Sequence, residues 1–84
     1  MSGKEPKDYL RFDLSDRIKG RVTDVWEVYN KDNNTLLGEV RWLGAWRQYC
    51  FFPASDCVFE KNCLRRIADF CEARTIEHRK DLQK

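Results

Sequence analysis

Hydrophobic and polar positions alternate through the middle of the chain. Val22 to Asn30 (VTDVWEVYN) is rich in β-branched and aromatic residues, which predicts a strand. Trp26 and Val28 share one face of it; Val25, Glu27 and Tyr29 share the other. Lys31 to Thr35 (KDNNT) is a cluster of turn formers and predicts a hairpin loop. Leu36 to Leu43 resumes the strand pattern. After Gly44-Ala45 a third strand is expected over Trp46 to Phe52, ended by Pro53, which has no N–H for a ladder.

A two-residue loop with glycine first suits a type II′ turn. That register pairs Leu43 with Trp46, Trp42 with Arg47, Val40 with Tyr49 and Gly38 with Phe51. One face then carries Val40, Trp42, Tyr49 and Phe51, and the other Glu39, Arg41, Gln48 and Cys50. A three-residue loop would set Gln48 against Val40 on the core face and Arg41 against Arg47, so the two-residue loop is the expected one.

Beyond Pro53 the period changes. Leu64, Ile67, Ala68 and Cys71 recur at helical spacing from Lys61 to about Arg74, with Cys63 and Phe70 flanking the stripe. Phe59 and Leu64 stand at the positions of a hydrophobic staple around an N-cap Glu60. The stripe needs an apolar partner, and the Val40/Trp42/Tyr49/Phe51 face is the large one available. At the other end Tyr9 to Leu14 alternates, with Leu10, Phe12 and Leu14 on one side of an extended chain, and reads as a short edge strand or an arm, followed by a short helical turn over residues 15–20. The expected architecture is α+β: a three-stranded antiparallel meander packed against one C-terminal helix, with an N-terminal strand or arm. Residues 1–8 read as a disordered tail, 9–76 as one domain and 77–84 as a polar C-terminal tail, either a helical extension or frayed.

Eighty-four residues make one domain at most, and a deep catalytic cavity is not expected in so small a core. Sixteen basic against 14 acidic residues permit a nucleic-acid partner without arguing for one. There is no secretory signal and no apolar run near the roughly 20 residues that cross a bilayer, so a cytoplasmic protein with thiol cysteines and no membrane partner is expected. Cys50, Cys57, Cys63 and Cys71 include no C-x-x-C pair. Cys63 and Cys71 lie about 12 Å apart along a helix, too far to share one zinc. The single histidine, His78, falls in the polar tail, away from any nucleophile. No metal, no cofactor and no enzyme activity are therefore expected.

Binding remains. The turn presents Trp46 and Arg47, and the outer sheet face presents Glu27, Tyr29, Glu39, Arg41 and Gln48. Tryptophan and arginine are the usual anchors of protein interfaces. The same residues can stack bases and hold phosphates, although the glutamates on that face oppose a phosphate backbone. The structural alternatives are that Trp46 folds back on the N-terminal arm and that Arg47 lies over Trp42.

Three segments, LGEVRW, WRQYCFFP and CLRRIADF, together resemble small uncharacterised proteins of bacteria and their phages. In these an LGxxxW strand precedes a WRxYxFxP strand and a CLxxIAxF helix. The similarity spans about Val25 to Ala73 and implies a small stand-alone cytoplasmic protein, with no activity to carry over. The expectation is a non-enzymatic module that binds another protein through the Trp46/Arg47 turn and the outer face or a sheet edge. Single-stranded nucleic acid is the alternative partner, and a homodimer through a sheet edge is plausible.

Overall fold

The computed structural model describes residues 9–15 and 23–82. Four strands and a helix follow in order: β1 (Leu10–Ser15), β2 (Val25–Asn30), β3 (Leu36–Leu43), β4 (Gln48–Pro53) and α1 (Lys61–Leu82). The strands form one antiparallel sheet in the order β1-β2-β3-β4. The expected strand count of three is thereby corrected to four. The segment read as a strand or arm pairs with β2 along its whole length, from Leu10 opposite Asn30 to Ser15 opposite Val25. Its alternation is what admits it: Leu10 is buried in the core, and Phe12 stacks on Phe70 with ring centroids 4.0 Å apart. The tail of residues 1–8, and the helical turn expected beyond Ser15, lie outside the described residues.

Leu10, Val28, Val40, Tyr49 and Ile67 form the buried core, packed by Trp26, Trp42, Phe51, Phe59, Phe70 and others. Between β2 and β3 the register slips: Val28 faces Gly38 but Tyr29 faces Leu36, which leaves Leu37 as the extra residue of a bulge. Gly38 has φ of 155°, and a Cβ there would stand 2.5 Å from the Phe52 carbonyl oxygen and 2.7 Å from the Phe51 ring. Only glycine fits this position.

Helix α1 is set up by Glu60. Its carbonyl accepts from the Leu64 N–H and its carboxylate accepts from the Cys63 N–H. The latter bond holds the Glu60 carboxyl below its ordinary range. Phe59 turns its ring edge-on to Phe51, while Leu64 remains 50% exposed. The helix is thus rotated from the expected stripe. Ile67 is buried, Cys63, Phe70 and Cys71 pack on the core, and Leu64 and Ala68 are exposed. Of the two readings of the C-terminal residues, the helical extension is the one found, through Leu82.

Tyr49 joins the two layers. Its N–H donates to Thr75 Oγ1 at 2.9 Å, and its hydroxyl oxygen accepts from the Asp24 N–H at 3.1 Å. Its ring meets Trp42 at 5.5 Å and His78 at 6.2 Å.

Candidate functional site

The β3–β4 connection has four residues, not two. Leu43 pairs with Gln48 and Trp42 with Tyr49, so Gly44 to Arg47 form the loop. The Leu43 carbonyl accepts from the N–H groups of both Trp46 (3.1 Å) and Arg47 (2.9 Å). Arg47 has φ of 55°. The β2–β3 connection closes the same way, with the Asn34 N–H on the Asn30 carbonyl at 2.7 Å and φ of 58° at Asn34. Asparagine tolerates the left-handed region; for arginine it costs about 1–2 kcal/mol. Freed from the ladder, Trp46 is 67% exposed at the tip of the molecule, and Arg47 beside it is exposed.

The end of α1 comes up behind this loop. Arg79 Nη2 donates to the Arg47 carbonyl at 3.3 Å, linking elements 32 residues apart. Arg79 and Lys80 are the basic residues of the last helical turn, where positive charge suits the helix dipole. One residue earlier, His78 lies against Trp42 with ring centroids 4.5 Å apart. His78 thus holds the contact with Trp42 that was expected of Arg47. Among the described residues neither Arg47 nor Arg79 has a carboxylate partner. Beside Arg79, between β4 and α1, runs an open groove of about 450 Å³, lined by Gln48, Tyr49, Ala68, Cys71, Glu72, Thr75 and Ile76. Burial, and then the nearby Cys50, push the Cys71 thiol up to about 11, so it stays protonated and unreactive at neutral pH.

The outer sheet face is different in kind. Arg11 is paired with Asp13 at 2.9 Å and lies over the Tyr29 ring at 4.7 Å. The Tyr29 hydroxyl donates to Glu27 at 3.1 Å, a bond that raises its pKa. Arg41 lies over Phe52 at 4.0 Å, with Glu39 3.6 Å from its Nε, an ion pair too long for a hydrogen bond. Each aromatic ring here is covered by an arginine, and each of these arginines has an acid. Tyr29, Glu39 and Arg41 therefore belong to a lattice of mutual contacts, in which the buried Arg41 Nε makes no hydrogen bond, and Trp46, Arg47 and Gln48 to the tip; the six candidates do not form one site. Sequence reasoning missed Arg79 and His78. Their signal was the helical period, since Cys71, Thr75, His78 and Arg79 continue the stripe past Arg74.

Among the described residues no three His, Cys, Asp or Glu side chains come together as a metal site, and no helix is long and apolar enough to cross a membrane. No family model and no solved structure matches the chain. It is 34% identical over 73 residues to the "Uncharacterized 9.3 kDa protein" of Acholeplasma phage L2, an alignment that covers 87% of this chain and 91% of the phage protein. The chain belongs to the family of that phage protein. Membership identifies kin and not a reaction. Within the three segments that carry the resemblance, Leu37, Gly38, Trp42, Tyr49, Phe51, Cys63, Ile67 and Phe70 all have packing roles in this family member. Trp46 and Arg47 have none.

Proposed function

We propose that this protein is a small non-enzymatic binding module of the cytoplasm that holds another protein at the β3–β4 tip, with Trp46 as anchor and Arg47 beside it. One observation carries the reading. The molecule's most exposed aromatic residue sits on a loop whose next residue, an arginine, occupies left-handed backbone. The left-handed residue closes the loop, as Asn34 does in the β2–β3 connection, but that closure needs neither an exposed indole nor an arginine side chain, and tryptophan and arginine are the residue types that dominate binding energy at interfaces. The outer face supports the tip and is not itself the contact, because its arginines and rings are already engaged with one another.

Pull-down with the full chain from lysate of the cells that make it tests this. A partner retained after nuclease treatment, lost with Trp46→Ala and kept with Val58→Ala, is the expected result. Val58 is the control because it is 93% exposed and lies in the β4–α1 connection, away from the tip. Equal capture by wild type and Trp46→Ala rejects the reading.

A second reading, single-stranded nucleic acid, is favoured by Arg47 and Arg79, two cations beside an exposed indole with no acid of their own among the described residues. Stacking on Trp46 and phosphate contacts to the arginines would be its chemistry. Loss of capture on nuclease treatment would select it. A homodimer through β4 draws little support. Tyr49 gives its outward N–H to Thr75, and Pro53, four residues on, has none to give.

A further inference from the structure

The tip and the groove share Arg79, and their chemistries are complementary halves of one ligand. Arg79 donates to the Arg47 backbone on one side and lines the groove on the other. The groove is walled by polar groups (Gln48, Glu72, Thr75) together with Tyr49, Ala68, Cys71 and Ile76, and Ile76 stays half exposed there. Neither arginine has a carboxylate partner among the described residues. The Arg79 guanidinium rests on the Arg47 backbone carbonyl, which puts both residues at one end of the groove, and positive charge there without an acid favours an incoming anion. Glu72, which also lines the groove, repels an acid from the neighbouring helical turn and so leaves the Arg79 end as the place for it.

We infer that tip and groove together take an acidic segment of the partner protein, with an apolar side chain in the groove and a carboxylate at Arg79 and Arg47. This rests on the protein-binding reading above and names the partner's chemistry. The segment is held by its side chains and not by strand addition. Alternation along β4 turns the backbone nitrogens of Tyr49, Phe51 and Pro53 outward; the N–H of Tyr49 is bonded to Thr75, and Pro53 has no N–H. A nucleic-acid strand gains too little here. Two arginines meet about two phosphates, so counterion release adds little to the affinity of a strand here. Arginine is also the residue type that recognises acidic motifs in peptides.

The test is selection of a random peptide-display library on the full chain, followed by titration of a synthetic copy of the best peptide. Selected sequences are expected to place Asp or Glu next to an aliphatic or aromatic residue. Arg79→Gln and Arg47→Gln should each weaken that peptide by about tenfold. Glu72→Gln should strengthen it or leave it unchanged. Arg65→Gln, an exposed arginine elsewhere on the helix, should have no effect, and circular dichroism verifies that each variant is folded. A selection without an acidic motif, or a peptide indifferent to Arg79→Gln, overturns the inference. Tighter binding of a 15-residue oligothymidylate, lost in Arg79→Gln, overturns it in favour of nucleic acid. If the inference fails while Trp46→Ala still abolishes nuclease-resistant capture, the binding-module reading stands without it. If capture is itself independent of Trp46, both fall.

Discussion

The N–H of Tyr49 donates to the hydroxyl of Thr75, and that hydroxyl donates in turn to the Cys71 carbonyl at 2.8 Å. One side chain thereby satisfies an outward-facing donor of the edge strand and fastens the helix to the sheet. Thr75→Val keeps the shape but removes the acceptor, leaving a buried N–H without a partner. The expected loss is about 1–3 kcal/mol. Thr75→Ser, which keeps the hydroxyl, should lose about 1 kcal/mol at most. Urea unfolding of the three proteins checks this.

Gly38 and Gly44 should respond oppositely to alanine. At Gly38 the φ of 155° and the close approach of the Phe52 carbonyl and Phe51 ring leave no room for a methyl. Gly38→Ala should cost about 2 kcal/mol or more, or prevent folding. At Gly44 a Cβ meets nothing within 4 Å. Gly44→Ala should leave stability unchanged or raise it by about 0.4–1 kcal/mol through the unfolded chain's entropy. Melting temperatures of the pair give the comparison.

What was legible in the sequence follows from which physical signals are periodic. The core face of the last two strands was readable although the register was not. The real loop is longer than the expected one by two residues, and an even shift returns every side chain to its face. Val40, Trp42, Tyr49 and Phe51 therefore face the core under either loop. The loop length itself was hidden. Gly-Ala resembles a two-residue turn, and nothing in an arginine's type announces left-handed backbone. Phe59 misled the helix reading, because it packs on Phe51 and leaves Leu64 exposed. His78 and Arg79 were lost to the reading of polar residues as tail, since residue type spoke against a stripe that the period continued. The lattice around Tyr29 and Arg41 could not be read at all, because it depends on which side chains meet across strands.

Cys71 makes stability depend on alkaline pH. Its thiol, ordinarily near 9, is raised to about 11 in the folded protein, chiefly by burial. The folded state therefore holds this proton more tightly than the unfolded state. The stabilisation is fully present below the unfolded value and is lost as pH rises through the folded one. The urea midpoint should fall between about pH 9 and 11 relative to pH 7. Cys71→Ala should be less stable at pH 7, from the atoms it removes from the packing, and should show a shallower fall across that window. An identical pH profile in the variant would refute the assignment.

Arg47 separates stability from binding. Its φ of 55° is a conformation that glycine adopts without the Cβ clash arginine suffers. The left-handed strain is about 1–2 kcal/mol, and glycine's greater freedom in the unfolded chain takes back part of it. Arg47→Gly should therefore be as stable as wild type or more stable, by up to about 1 kcal/mol in urea unfolding. The same substitution removes one of the two cations at the tip, so partner capture should weaken. Arg47→Asn should behave similarly, because asparagine tolerates this backbone region, as Asn34 does in the β2–β3 connection. Arg47→Ala retains the strain and loses the charge, so it should bind weakly with no gain in stability. A residue that strains its loop and contributes only to binding yields this pattern across the three variants. If Arg47→Gly destabilises the fold by more than about 1 kcal/mol, Arg47 is instead part of the loop's own structure, and the left-handed backbone there has no link to function.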